Sequence, residues 1–236
     1  MNIGDTKLAT DFTNIPSSVT DMSYLFANSY FEYFAYFDFL NCYKNVKDMS
    51  YMFKDCRGLG TSAFAFETAG VENMEGMFYN VNADDVKTDG KTDRLHSEFE
   101  ELDLRSFDTR SVTNMKYMFK VDPGKESDLT TIYVDGDLWD TSKVEDGTDM
   151  FLRQTELVGG AGTEYDRENV GKEYAHIDGG ASNPGYLSSG QNTGKAVFTE
   201  NNGEITMTFY YDNKLHWFDP GIITIVKGPA VFSLDL

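Results

Sequence analysis

The sequence predicts an α/β solenoid: a stack of units, each one short strand plus one short helix, followed by a small C-terminal antiparallel β module. Three observations predict it. An eight-residue pattern, V-x-[DN]-M-x-x-[ML]-F, recurs five times along the 236 residues, the fifth copy lacking its first Met. The two closest pairs of copies are 27 and 25 residues apart, a period typical of stacked repeat units. From Lys195 onward the pattern disappears and apolar residues alternate with polar ones, as in half-buried strands.

The copies begin at Val19, Val46, Val71, Val112 and Val144, and the fifth carries Gly147 where the others have Met. Val, Met and the Met-Phe pair fall at offsets 0, 3, 6 and 7, which share one face of a helix. Ser18, Ser111 and Thr113 are placed to cap its first turn. Two turns of helix are marginal alone, so each unit must be held by its neighbours. Upstream of Val112, Leu102, Leu104 and Phe107 read as a short strand and turn. Thr131-Ile132-Tyr133-Val134 and Leu138-Trp139-Asp140-Thr141 play the same parts before Val144. The periodic Met and Phe are read as core between units. The result is a leucine-rich-repeat-like solenoid over residues 1–190, of about five units. The 41-residue step from Val71 to Val112 holds an insertion near 80–100, read as a solvated loop.

Phe107-Asp108-Thr109-Arg110-Ser111-Val112-Thr113-Asn114-Met115 and Asp140-Thr141-Ser142-Lys143-Val144 carry a resemblance. They resemble the repeats of BspA-type bacterial leucine-rich-repeat surface proteins, which read like F-D-T-S-x-V-T-N-M-x-x-M-F. Leu157–Thr163 and Ala175–Tyr186 look like the tail that closes such arrays, so the likeness runs from about Val19 to Leu187. It implies a non-catalytic surface module that recognises proteins or other ligands, often in adhesion.

Residues 191–236 form the second region, a small β module or cap. Ala196–Glu200 and Glu204–Tyr211 flank Asn202-Gly203, a strong hairpin signal. Ile222–Val226 and Ala230–Leu234 suggest a second strand pair around Lys227-Gly228-Pro229. Open ends of repeat arrays need covering, which makes a cap the plain reading and a docking surface the alternative.

Composition restricts the chemistry. With 39 Asp+Glu against 20 Lys+Arg, the net charge is −19, and no basic stripe exists to neutralise phosphates, so nucleic acid is not an expected partner. No run of about 18 apolar residues occurs, so no membrane insertion by a helix is expected. Two cysteines, Cys42 and Cys56, and three histidines would be nearly exhausted by one zinc site, and their spacing fits none. Whether the cysteines pair stays open. No nucleophile elbow, dinucleotide fingerprint or phosphate loop is present. His96, His176 and His216 lack suggestive neighbours. Glu98, Glu100 and Glu101 could imitate a glycosidase pair, and Asp135-Gly136-Asp137 with Asp140 offers oxygen ligands for calcium, but this sequence is acidic throughout. No catalytic residue, metal ligand or cofactor is therefore assigned.

One stretch stands out for binding. In Tyr30–Phe37 a strand would place alternate rings on opposite sides, exposing one set. Phe31, Tyr33, Phe34, Tyr36 and Phe37 are the candidate binding residues, with an enlarged core as the other reading. The expectation is a non-enzymatic recognition or adhesion module on a bacterial surface, binding a protein or other surface ligand. It would be extracellular if the chain is a trimmed piece of a secreted protein. The alternative is a structural or receptor-binding protein of a bacteriophage virion, part of a larger assembly. It is motivated by a start, Met1-Asn2-Ile3-Gly4-Asp5, that does not read as a secretory signal.

Overall fold

The computed structural model describes residues 18–29, 45–59, 68–86 and 100–190, together with the backbone of four later strands. The chain divides into two compact units, Met1–Gly190 and Gln191–Leu236.

In the first unit the repeated motif forms turns, and the α/β solenoid with a helix in each repeat does not form. Among the described residues the helical elements are two 3-10 turns, Lys172–Tyr174 and Gly180–Ser182. The cause lies in the [DN] position. Oδ1 of Asp21, Asp48, Asn73, Asn114 and Asp146 each accepts the backbone N–H two residues on, at 2.8–3.1 Å. This Asx turn offers the backbone an alternative to the helical bond. Three residues further on, Tyr24, Tyr51, Gly76, Tyr117 and Asp149 all sit at φ between +53° and +59°, which no right-handed helix tolerates. Offsets 0, 3, 6 and 7 therefore mimic a helical period while belonging to consecutive tight turns.

Those turns divide the amides into two alternating sets. One set closes turns within its own unit: Met52 N–H donates to Met49 O, Lys54 N–H to Tyr51 O, and Cys56 N–H to Phe53 O. The other set crosses to the next unit: Met49 N–H donates to Asn73 O, Tyr51 N–H to Glu75 O, Phe53 N–H to Met77 O, and Asp55 N–H to Tyr79 O. The scheme repeats from Met22 to Met115, and parallel bridges link Asp21, Asp48, Asn73, Asn114 and Asp146 in succession. Ser111 and Thr113, expected to cap helices, instead donate their hydroxyls to Ala69 O and Glu72 O of the preceding unit.

Apart from Leu25 and the partly buried Val19 of the first copy, the motif's apolar side chains are buried. Val46, Met49, Met52, Phe53 and their counterparts in the third and fourth copies have no solvent exposure. Phe26, Phe53, Phe78, Phe119 and Phe151 form one column, with successive centroids 5.5, 5.5, 5.7 and 5.4 Å apart and planes within 15°. Tyr186 ends the column edge-on to Phe151 at 5.3 Å. Gly147 replaces Met in the fifth copy because Lys172 packs there: a Cβ on Gly147 would lie 2.5 Å from the Lys172 Cβ.

The strands are short and their sheets stay open. β1 (Ala83–Asp85) pairs antiparallel with β3 (Lys125–Ser127). β2 (Glu101–Asp103), β4 (Thr131–Val134) and β5 (Leu187–Ser189) form a parallel sheet with β4 in the middle. Leu102, Ile132 and Leu187 lie in one register row and are buried. The segment after the fifth copy is tied together by Asp178. Its carboxylate accepts from Ala161 N, Thr163 N, Thr163 Oγ1, Gly180 N and Gly185 N at 2.7–3.3 Å. Burial alone would raise this carboxyl, but the bonds from Thr163, Gly180 and Ala161 outweigh it and hold the group well below the usual carboxylate range.

In the second unit, β6 (Ala196–Asn201) and β7 (Glu204–Phe209) pair antiparallel with Asn201 opposite Glu204. β8 (Ile223–Thr224) pairs antiparallel with β9 (Ser233–Leu234).

Candidate functional site

The repeated turns that bury Met and Phe inward carry tyrosines outward. Tyr24, Tyr51 and Tyr117 occupy the same motif position, and Tyr79 follows Gly76 by three residues. Tyr24 stacks on Tyr51 with centroids 5.0 Å apart and planes 15° apart. Tyr51 to Tyr79 and Tyr79 to Tyr117 follow at 6.3 and 6.5 Å, tilted and edge-on. The four rings thus form a second aromatic column, half-buried to exposed, along the turns.

Gly76 makes this column continuous. The Tyr51 ring lies over it, and a Cβ there would fall 2.2 Å from the Tyr51 Cε1, on backbone already at φ +55°. Gly76→Ala is therefore expected to displace Tyr51 and to cost about 1–3 kcal/mol, from strain and overpacking together. Denaturant unfolding of the variant would show it, and an unchanged midpoint would remove Gly76 from this role.

The hydroxyls point to carboxylates. Tyr51 donates to Glu75 Oε1 at 2.7 Å, and Glu75 Oε2 in turn accepts from Asn114 Nδ2 at 3.1 Å. Tyr79 donates to Asp122, which also accepts from Asn80 Nδ2 at 3.0 Å. Burial, followed by these carboxylate contacts, pushes both phenols above their ordinary value, so they stay protonated donors. Cations cover part of the column. Lys120 Nζ stands 4.3 Å from the Tyr117 centroid and 5.5 Å from that of Tyr79; Lys116 and Lys54 add contacts to Tyr117 and Tyr79 at 4.9 and 5.3 Å. At the first copy the pattern is incomplete. Tyr24 is 54% exposed and Leu25 46%, the two most exposed large apolar side chains among the described residues.

Such an arrangement can hold a partner by ring contact and charge. Among the described residues no group of three or more His, Cys, Asp or Glu could hold a metal ion. Asp135 and Asp140 spend one oxygen each on the amides of Asp137 and Ser142. A cleft of about 400 Å³ lies beside β4 and β5, lined by Thr131, Tyr133, Gly160, Asp178 and Ser188, but its one carboxylate is committed to the bonds given above.

Phe31, Tyr33, Phe34, Tyr36 and Phe37 lie outside the described residues, as do Cys42, His96, Glu98 and His216. Cys56 is a buried free thiol that donates to Phe26 O at 2.9 Å, and burial pushes it up to about 12. Glu100 is exposed beside β2, and Glu101 accepts a bond from the Tyr133 hydroxyl at 3.4 Å. His176 Nδ1 meets Ile177 O. Reading the sequence for an aromatic cluster missed the tyrosine column. Its signal was the Tyr shared by three copies, Met-Ser-Tyr-Leu, Met-Ser-Tyr-Met and Met-Lys-Tyr-Met.

Comparison with known protein families gives a match over most of the chain. The model of a family described as Mycoplasma protein of unknown function, DUF285, matches residues 6–89 and 94–183. No curated protein and no solved structure matches the chain.

Proposed function

The chain belongs to the DUF285 family, and from that premise we propose that it is a non-enzymatic recognition module displayed on a bacterial surface, of the BspA type, binding proteins or other surface ligands. The observation that carries this reading is the outward tyrosine column. Each copy spends its Val, Met and Phe on the core, leaving the remaining motif positions free to present rings and charges side by side. Tyrosine is among the residue types enriched in binding hot spots, and Tyr24 at the open end of the column is exposed. The likeness of Phe107–Met115 to BspA-type repeats points the same way.

The test has two arms. Beads coated with the full chain should be retained on at least one member of a panel of matrix proteins and intact cells. Retention should be saturable and competed by soluble chain. An antibody to the chain should label the producing bacterium without permeabilisation. Absence of saturable retention across the panel, or labelling only after permeabilisation, would overturn the proposal.

A further inference from the structure

The column of tyrosines follows a rule that its first member breaks. Tyr51 lies between Tyr24 of the preceding copy and Gly76 of the next. Tyr79 and Tyr117 each carry lysine ammonium groups over their rings. Tyr24 has Tyr51 on one side and, among the described residues, no ring or cation on the other. Nor does its neighbourhood offer one. The only charged residue in 18–29 is Asp21. In the described part of the second copy every cation is engaged: Lys47 with Glu72 at 2.8 Å, Lys54 with Asp55, and Arg57 with Asp84 at 3.5 Å.

We propose that the outer face of Tyr24, with Leu25 beside it, anchors a lysine or arginine side chain of a basic protein segment. This rests on the recognition reading above and names the partner's chemistry. Three observations select that occupant. The same column already holds cations over Tyr79 and Tyr117, so the mode is one this surface supports. The chain's net charge of −19 attracts a basic partner and repels an acidic one. Leu25, next in sequence and 46% exposed, adds apolar surface that can take up the methylene stem of a long cationic side chain. A sugar ring would need open aromatic faces along the column, whereas those of Tyr51, Tyr79 and Tyr117 are already taken by rings, glycine backbone or lysines.

The test uses the full chain and a fluorescent octapeptide of alternating lysine and glycine, with its acetyl-lysine counterpart as control, read by polarisation. Tyr24→Gly removes the ring without strain: Tyr24 sits at φ +57°, and Gly76 occupies the same position of the third copy. The variant should keep its melting temperature within a few degrees and bind the lysine peptide about three- to fivefold more weakly. Tyr24→Phe should bind like the unaltered chain, and the acetylated peptide should bind neither. Equal lysine-peptide affinity with and without the Tyr24 ring, or equal affinity for the acetylated peptide, would overturn the anchor. The two proposals can fail separately. Bead retention with peptide binding indifferent to Tyr24 leaves recognition standing and removes the anchor. Peptide binding through Tyr24 without any bead retention does the reverse.

Discussion

Phe78→Ala is expected to lower the stability of the Met1–Gly190 unit by about 3–5 kcal/mol, the range for deleting a fully buried ring. Phe78 is the middle member of the inner column, 5.5 Å from Phe53, 5.7 Å from Phe119 and 6.1 Å from Phe107. Its removal takes away these ring contacts and leaves a cavity. The neighbours cannot collapse into it, because backbone bonds from Phe53 to Met77 and from Phe78 to Met118 fix the spacing between copies. Against a typical total of about 5–15 kcal/mol, such a loss removes from about a fifth to nearly all of the stability. Denaturant titration followed by near-ultraviolet circular dichroism measures it. Leu25→Ala, at a 46% exposed site, is the control and should stay within about 0.5 kcal/mol of the parent. A loss below about 1 kcal/mol for Phe78→Ala would mean that the column does not organise the core.

The second large effect is expected at Asp178. Asp178→Asn keeps the shape but replaces one acceptor oxygen by an NH₂ donor, so part of the five-donor cradle from Ala161, Thr163, Gly180 and Gly185 meets a donor instead of an acceptor. The cost should be about 1–3 kcal/mol, because the bonds converge on a buried carboxylate and the buried Gly185 amide loses a partner it cannot replace. The pH dependence carries its own signature. Asp178 titrates lower in the folded chain than in the unfolded one, so its stabilisation is fully present above the unfolded value of about 4. It is lost progressively as pH falls from there toward the depressed folded value. Between about pH 5 and pH 2 the parent should therefore lose stability more steeply than Asp178→Asn. Parallel losses in the two proteins would show that Asp178 is not the group responsible.

What the sequence disclosed depended on which physical signal each residue carries. Val, Met and Phe at fixed offsets announced five equivalent copies and the side chains that fill the core, because burial follows from periodic apolarity however the backbone runs. The backbone itself was misread. Offsets 0, 3, 6 and 7 suit one helix face, and the deciding evidence lay in residues that look unremarkable alone. Asp21 and Asp48 close Asx turns, and Tyr51, a residue rarely found at positive φ, adopts +55°. Gly76 at the tyrosine position of the third copy was the visible hint that this position is left-handed. Strand Thr131–Val134 and the pairing on either side of Asn202-Gly203 were readable, since β-branched alternation and turn residues act locally. The tyrosine column was visible only as a repeated letter. Its meaning required knowing that copies lie side by side with their turns in register.

The bridge from Asn73 to Asn114 spans the longest step between copies, yet it has the same backbone bonds as the shorter steps on either side. Contact between neighbouring motif turns is fixed by paired amides and carbonyls, whose spacing does not depend on the length of the connecting segment. Lengthening a connection from 25 to 41 residues costs only about 0.4 kcal/mol of closure entropy. Genes for such chains can thus accumulate insertions between copies, or change how many copies they hold, with little thermodynamic resistance. Selection is then free to act on what those connecting segments display.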